Sequence, residues 1–338
     1  MRSLFLSVGR CTHDQETPQA DDACENGGKG DCYGYGALIL VSKWRNRESS
    51  IPSTAYSLVR MTRPKQWVKN AFVLAPLVFA RAFLDVHAIK LELFCFALFC
   101  VASSACYVLN DIRDVERDRA HPIKSWSRPL AAGHLSITAA IALLLGLYGA
   151  LAVGWIIQPV LMVPIGGYIL LNLLYTFYLK NQPVLDIFSI AGGFVLRVYA
   201  GAVAISVPLS SWMAVTTLCL ALYLAAIKRR QELVTAGFEG RKVLKDYSVA
   251  LVDRYAEMSA VGALIFYSLF VMTTNGRLVI TIPLVIFGLF RYWYLVEDRD
   301  YGESPTDVLL TDWPLIGCVA GWAAACIYAL MLGGGRYT

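Results

Sequence analysis

Charged residues are scarce in this sequence. They make up 16% of its 338 residues, whereas soluble domains usually contain about a quarter. This scarcity, with a mean hydropathy of +0.53, excludes an ordinary soluble domain of this length. The net charge of +5 does not indicate nucleic-acid binding. The apolar residues form several runs of about 20, which predict a polytopic membrane protein with an all-α fold.

The sequence also offers little histidine and no recognisable cysteine site. Its four histidines stand in no arrangement typical of catalysis. Six of the nine cysteines lie within or beside apolar segments, where small buried residues are expected. Cys11, Cys24 and Cys32 lie in a polar N-terminal stretch, and their spacing matches no zinc pattern. Residues 1–50 lack periodicity and are predicted to be a disordered tail or an overlong start, followed by a membrane domain over residues 51–338.

The apolar runs predict about nine transmembrane helices. A basic and aromatic segment, Tyr56 to Asn70, is typical of an interfacial helix that leads into the first of them. The predicted spans are residues 67–83, 91–109, 137–157, 160–178, 184–204, 212–227, 258–274, 278–295 and 313–332.

The loops between these spans differ in positive charge. Alternate loops hold most of the Lys and Arg residues, and the remaining loops hold few. Because positive charge accumulates in cytoplasmic loops, the basic side is predicted to be cytoplasmic. Nine spans then place the N-terminus in the cytoplasm and the C-terminus outside.

An aspartate-rich segment follows the second predicted span. Asp111, Asp114 and Asp118 are offset by three and seven residues, which places their carboxylates on one face of a helix. Such carboxylates repel one another unless a cation lies among them, and oxygen ligands with a phosphate substrate favour Mg²⁺. The spacing therefore predicts a Mg²⁺-diphosphate site, while the alternative is a solvated helix end whose aspartates pair with nearby arginines.

Further ionisable residues lie within or at the ends of spans, where they usually face a bundle interior or a wet cavity. Asp186 is either a helix-dipole partner or a second carboxylate for metal or phosphate. Arg197 either pairs with a buried carboxylate or contacts substrate. The basic segment from Lys228 to Tyr247 is either a solvated loop attracted to anionic lipid or a lid whose Lys228, Arg229 and Arg241 neutralise a polyphosphate.

The pattern N-D-x-x-D-x-x-x-D followed by R-P-L-A-A-G resembles the UbiA superfamily of intramembrane prenyltransferases. Asn110, Asp111, Asp114 and Asp118 match its first motif, and the resemblance extends from about Tyr56 to the C-terminus. It implies helices around a cytoplasm-facing cavity and Mg²⁺ as cofactor, held by Asp111, Asp114 and Asp118. One departure stands in the second motif, D-x-x-x-D, where Ile190 replaces the second carboxylate.

Three further segments resemble a narrower branch of this superfamily, the decaprenyl-phosphate phosphoribosyltransferases. They are R-P-K-Q-W-V-K-N from Arg63, L-K together with Asp186, and G-F-V-L-R ending at Arg197. This branch implies transfer of 5-phosphoribose from 5-phosphoribosyl 1-diphosphate (PRPP) to a polyprenyl phosphate, for cell-wall arabinan, at the plasma (inner) membrane. Substrate-binding residues are then expected at Lys69, Asn70, Asn110, Lys124, Arg128, Tyr175, Lys180, Asp186, Arg197, Lys228 and Arg229.

Three other functions remain open from the sequence. A prenyltransferase acting on an aromatic acceptor would use the same first motif but would favour the missing carboxylate at position 190. A transporter would explain intramembrane charge, although no inverted repeat is evident. A non-enzymatic lipid-binding scaffold would not depend on the aspartates. The sequence predicts no oligomeric state.

Overall fold

The computed structural model describes residues 53–120, 124–236, 242–298 and 311–332, where the chain is predominantly helical and contains no strand. The predicted tail, residues 1–50, lies outside the described residues. The α-helices are α1 (Thr54–Met61), α2 (Ala75–Phe79), α3 (Val86–Arg113), α4 (Val115–Arg119), α5 (Lys124–Ser127), α6 (Ile137–Ile157), α7 (Met162–Phe177), α8 (Leu185–Ala204), α9 (Ser211–Ala236), α10 (Val249–Thr274), α11 (Ile282–Asp298) and α12 (Trp313–Leu332).

Eight helical segments in the described ranges are long and apolar enough to cross a membrane. They are α3, α6, α8, α9, α10 and α12, together with α7 and α11 extended by the short 3₁₀ turns that precede them. Most of their bounds lie within about five residues of the predicted spans, but α9 continues to Ala236, beyond the predicted end at residue 227, and α10 begins at Val249, before the predicted start at residue 258. The all-α, multi-pass prediction is confirmed. Several begin at a side-chain cap, as where Ser136 accepts a hydrogen bond from the Ala139 amide and Ser248 accepts one from Leu251.

The first predicted span, residues 67–83, is the exception, because it is not one continuous helix. A 3₁₀ segment runs from Pro64 to Leu74, and the five-residue helix α2 follows it. Pro76 in the first turn of α2 has no backbone N–H to continue the preceding helix. The broken segment nevertheless packs against α3 and α8, as a ninth element of the bundle.

Gly201 shows how closely this broken segment approaches α8. A Cβ atom added at Gly201 would lie 2.0 Å from the carbonyl oxygen of Val73. No side chain fits that gap, so glycine is required where the two backbones meet.

Helix α8 lies at the centre of the described bundle. It packs against α7, α9, α3 and the 3₁₀ segment Pro64–Leu74, and Ala191, Val198 and Ala200 on it are completely buried. Contacts described below bring the C-terminal ends of α3, α7 and α9 together with the N-terminal end of α8. Most of the functional side chains predicted from the sequence lie at this end of the bundle.

Candidate active site

The aspartate-rich segment spans the end of α3 and the start of α4. Asp114 separates the two helices, with φ −94° and ψ 11°. The helical hydrogen bonds nevertheless continue across it, since the Asp114 amide donates to the Asn110 carbonyl at 2.9 Å and the Asp118 amide donates to the Asp114 carbonyl at 2.8 Å. The three aspartates therefore keep their helical spacing along one side of the segment.

Two of the three carboxylates are buried and bonded to arginine. Arg128 donates from one nitrogen, Nη1, to Asp111 Oδ1 at 2.7 Å and to Asp118 Oδ2 at 2.6 Å. Arg63 also donates to Asp111 Oδ1, and its guanidinium lies over the Tyr107 ring, 4.8 Å from the centroid. Asp111 thus binds arginines 17 and 48 residues away in the sequence, and Asp118 binds one that is 10 residues away.

Arg128 reaches this site because the chain turns sharply just after it. The Ala132 amide donates to the Arg128 carbonyl and the His134 amide donates to the Pro129 carbonyl. Gly133 closes this turn with φ +75°, a conformation that glycine adopts without strain. The R-P…G pattern therefore describes a turn that places an arginine on the aspartates.

Asp114 is the most accessible of the three aspartates. Its side chain is 21% exposed, and Lys180 Nζ lies 3.4 Å from its Oδ2. Neighbouring Asn110 is half-buried. Asp114 is therefore held by a longer and more open ion pair than Asp111 or Asp118.

Arg113 fixes the end of α7 beside this site. Its guanidinium donates to the Thr176 carbonyl and lies 4.2 Å from the centroid of the Phe177 ring. Helix α7 ends at Phe177, and Lys180 follows in the 3₁₀ turn Leu179–Asn181. The Arg113 contacts therefore help to fix the position of the turn that carries Lys180.

A second network surrounds Asp186 in the first turn of α8. Arg229 Nε donates to Asp186 Oδ2 at 2.6 Å, and the Tyr247 hydroxyl donates to Asp186 Oδ1 at 2.7 Å. Arg229 also donates to Glu232 and, at 3.2 Å, to the Tyr175 hydroxyl. Asp186 and Arg229 are fully buried, so both oxygens of Asp186 are occupied by protein groups.

Tyr247 lies between the membrane-spanning helices α9 and α10. Burial raises the pKa of its phenol well above the usual value, with the neighbouring Asp186 acting in the same direction. The hydroxyl therefore remains protonated and acts as a hydrogen-bond donor to Asp186.

Arg197 and Asn70 form a third cluster, deeper in the bundle. Arg197 donates to Asn70 Oδ1 at 2.8 Å, to the Gly193 carbonyl at 2.8 Å and to the Tyr168 hydroxyl at 3.0 Å. Asn70 in turn donates to Ser103 Oγ at 3.2 Å. Asn70 is completely buried, because the 3₁₀ segment turns its side chain inward, where it binds Arg197.

The structure thus divides the predicted site residues into three groups. Arg128 and Lys180 bind the aspartate-rich segment, Arg229 and Tyr175 belong to the network around Asp186, and Asn70 binds Arg197. The remaining lysines, Lys69, Lys124 and Lys228, are half-buried and each engages a partner of its own.

The side chains of the first group include oxygen ligands suited to a hard cation. Within the described residues no three His, Cys, Asp or Glu side chains are already arranged around one metal position. The carboxylates of Asp111 and Asp118 nevertheless converge on one guanidinium nitrogen, and Asp114 is partly open. Oxygen ligands of this kind suit Mg²⁺, which keeps several waters and shares substrate phosphate oxygens.

Several residues of these networks were not predicted as site residues. Arg63 lies in the R-P-K-Q-W segment, so its position before a span was the available signal. Glu232 lies near the end of α9, three residues after its partner Arg229, and Tyr247 ends the basic segment. Nothing in the sequence around Tyr247 indicates its contact with Asp186. Tyr168 lies in an apolar helix where any aromatic residue would be expected.

Comparison with known proteins identifies relatives over most of the chain. Residues 71–307 match the UbiA prenyltransferase family. The decaprenyl-phosphate phosphoribosyltransferase of Mycolicibacterium smegmatis is 35% identical over 279 residues, covering 75% of this chain and 86% of that protein. The enzyme of the same name from Mycobacterium tuberculosis is 33% identical over 290 residues, covering 82% and 95%.

Solved structures show the same fold at lower sequence identity. A UbiA homolog from Archaeoglobus fulgidus bound to DMAPP and Mg²⁺ superposes with a TM-score of 0.60 at 18% identity, covering 82% of this chain and 99% of that one. Its complex with GPP and Mg²⁺ gives a TM-score of 0.61 at 19% identity, covering 82% and 100%. With the sequence match, this places the chain among membrane-embedded transferases: it belongs to the UbiA prenyltransferase family.

Proposed function

We propose that the protein transfers 5-phosphoribose from PRPP to a polyprenyl phosphate such as decaprenyl phosphate, with release of diphosphate and dependence on Mg²⁺. One observation carries the proposal: Arg63, Arg128 and Lys180, from three separate segments, converge on the three aspartates at the end of α3. The relatives named as decaprenyl-phosphate phosphoribosyltransferases support the choice of donor and acceptor.

The ion pairs of the substrate-free site suit an exchange of partners. Three carboxylates face three cations, so the charges balance before substrate arrives. A donor diphosphate bound with its cation offers anionic oxygens to the arginines and the lysine, and positive charge to the carboxylates. Because each group exchanges one partner of opposite sign for another, no buried charge is left unpaired by binding.

Asp114 is the carboxylate best placed to begin this exchange. Its only side-chain partner in the described structure is Lys180, at 3.4 Å, and its side chain is 21% exposed. Asn110, one turn earlier, offers a neutral oxygen on the same side. Asp111 and Asp118, which Arg128 bridges, would complete the oxygen ligands when Arg128 turns to phosphate.

Bound Mg²⁺ would supply charge neutralisation for the departing diphosphate. Around it, Arg128 and Lys180 would donate hydrogen bonds to the diphosphate oxygens as negative charge develops there. Lys69 and Lys124 are further candidates for the same anion or for the 5-phosphate of the donor.

The acceptor requires little acid–base catalysis. Its nucleophile is a phosphate oxygen that is already anionic, and it would attack ribose C1 as the C1–diphosphate bond breaks. This agrees with a sequence whose four histidines form no catalytic arrangement. Catalysis then depends on holding the two substrates close together in the right orientation. Because both substrates are anionic, several cationic side chains are needed near the site.

The second network has a supporting part in this proposal. Asp186, Arg229 and Tyr175 were expected to bind substrate, but their side chains bond to one another inside the bundle. We assign them the role of holding α7, α8 and α9 in register beside the aspartate-rich segment. Arg197 holds the broken first segment against α8 through its hydrogen bond to Asn70. Lys228, in the C-terminal half of α9, is kept as a candidate phosphate contact.

The proposal is tested by offering the purified protein two pairs of substrates. One reaction contains labelled PRPP and polyprenyl phosphate, and the other contains a prenyl diphosphate and an aromatic acid, each with and without Mg²⁺. We expect a labelled lipid only in the first pair and only with Mg²⁺. Prenylation of the aromatic acid without labelled phosphoribosyl lipid would replace this proposal with the prenyltransferase alternative.

A further inference from the structure

The chain adopts a strained conformation just before α8. Val184 has φ +68° and ψ −46°, and the Leu185 amide donates to the Pro183 carbonyl at 2.8 Å. Together these define a γ-turn with positive φ at its centre, a rare and strained arrangement. For a β-branched residue such as valine this φ is a true outlier, which persists only where its surroundings enforce it.

The Tyr247 hydroxyl binds the backbone at the centre of this turn. The Val184 amide donates to the Tyr247 hydroxyl at 2.6 Å, and the same hydroxyl donates to Asp186 Oδ1 at 2.7 Å. The phenol therefore bridges the centre of the turn and the first turn of α8. Tyr247 is 4% exposed and packs in an apolar cluster with Ile187 and Tyr292, so its position is fixed from the other side.

The turn controls the segment that carries Lys180. Between the end of α7 at Phe177 and the start of α8 at Leu185, the chain makes a 3₁₀ turn, Leu179–Asn181, and then the γ-turn. Arg113 fixes the α7 end of this short connection. Because both ends of this connection are held, the backbone conformation at Val184 determines the direction in which the Lys180 side chain points toward Asp114.

We propose that Tyr247 is a positioning residue for the active site: by holding Val184 in its strained turn, its hydroxyl places Lys180 on Asp114. The assignment of Lys180 to the donor diphosphate rests on the proposed function above. The placement of Lys180 on Asp114 does not, so it can be tested without substrate.

The test uses Tyr247→Phe, which removes only the bridging hydroxyl, and Tyr292→Phe as its matched control. Tyr292 lies in the same apolar cluster, and its buried hydroxyl has no hydrogen-bond partner in the described structure. A third protein combines Tyr247→Phe with Val184→Gly, because glycine adopts a positive φ without help from Tyr247. Thermal unfolding of each purified protein verifies that it is folded.

The readout is the rate at which a small amine-reactive reagent modifies Lys180 in the substrate-free protein, followed by mass spectrometry of its peptide. We expect Tyr247→Phe to raise this rate about fivefold, since a part-exposed ion pair protects its lysine by about that much. Tyr292→Phe should keep the wild-type rate, and Val184→Gly should restore it in the Tyr247→Phe protein. An unchanged rate in Tyr247→Phe, or a raised rate that glycine does not restore, overturns the proposal.

Donor kinetics give a second readout. We expect Tyr247→Phe to lower kcat/KM for PRPP about tenfold, with the loss in kcat, because Lys180 stabilises the departing diphosphate, and to add nothing when Lys180 is already replaced by alanine. An equal loss in the Lys180→Ala background overturns the proposal. If Tyr247→Phe alone does not fold, the double variant is compared with Val184→Gly: equal Lys180 rates support the proposal and unequal rates overturn it. Failure of wild-type turnover with PRPP would instead remove the proposed function and leave the labelling result intact.

Discussion

At the scale of single residues, the three aspartates of the α3–α4 segment are not equivalent. The side chains of Asp111 and Asp118 are 4% and 6% exposed and share Arg128, whereas that of Asp114 is 21% exposed and, among the described residues, pairs with Lys180 alone. A buried carboxylate held by arginine costs stability when it is altered. Replacing a part-exposed carboxylate that has one distant partner costs little stability. A substitution at Asp114 should therefore change activity without unfolding the protein.

Replacement of Asp114 by asparagine should abolish transfer without unfolding the protein. We expect turnover to fall at least about 100-fold, because a cation ligand beside the leaving group is lost, while the melting temperature changes little. The measurement is the rate of labelled-lipid formation together with thermal unfolding in detergent. Glu116→Gln is the control, since Glu116 is an exposed acid on the same segment, and it should retain wild-type turnover. Equal activity of Asp114→Asn and Glu116→Gln would contradict the assignment.

The buried pair of Asp186 and Arg229 should matter for stability more than any surface pair. Arg229→Met leaves Asp186 buried beside Tyr247 without its cation, which should cost about 3–5 kcal/mol. Asp253→Asn is the control, because its pair with Arg230 is partly exposed and should contribute at most about 1 kcal/mol. Thermal unfolding of the two purified variants gives the comparison. Similar losses in both would mean that the Asp186 network does not hold the bundle together.

At the scale of elements, hydrophobic run length predicted most of the helices well. The predicted spans 137–157 and 313–332 coincide with α6 and α12, because membrane thickness and the apolar run fix their length together. The first span was wrong as one helix: its apolar content is sufficient, but Pro76 lies within it and has no backbone N–H to continue the preceding 3₁₀ segment. Composition alone does not register such a break.

The ion pairs were harder to predict than the helices. The spacing of Asp111, Asp114 and Asp118 indicated a shared helix face, which the backbone keeps, but their cations were sought nearby in the sequence. Arg63 lies 48 residues from Asp111, and Tyr247 lies 61 residues from Asp186. Such partners depend on how the helices pack, and no local pattern in a single sequence encodes that packing.

The close approach of α8 to the broken first segment should be sensitive to one methyl group. Gly201→Ala places a Cβ where the Val73 carbonyl lies 2.0 Å away, so the backbones must separate, at a cost of about 1–3 kcal/mol. Gly149→Ala in α6 is the control, because no atom lies within 4 Å of the added Cβ. We expect a lower melting temperature only for Gly201→Ala. Equal melting temperatures would show that the two backbones do not pack this closely.

At the scale of the whole molecule, the distribution of basic residues predicts its orientation. If the aspartate-rich end of α3 is cytoplasmic, its other end must face outside. Lys90→Cys places a thiol at an exposed position near the start of α3, and Glu116→Cys places one at an exposed position in α4, just after the end of α3. We expect an impermeant thiol reagent to label Lys90→Cys in intact cells, and Glu116→Cys only after permeabilisation, with wild-type protein as the background. The reverse pattern would invert the proposed topology and move the site away from the cytoplasm.

The proposed function requires that the aspartates at the end of α3 bind Mg²⁺ together with the diphosphate of the donor. The most direct test is an experimental structure of the purified protein with Mg²⁺ and PRPP. We expect an ion within about 2.1 Å of an Asp114 oxygen, with Arg128 and Lys180 turned from the carboxylates to the diphosphate. A donor bound elsewhere, with Arg63 and Arg128 still on Asp111 and no ion at Asp114, would contradict it.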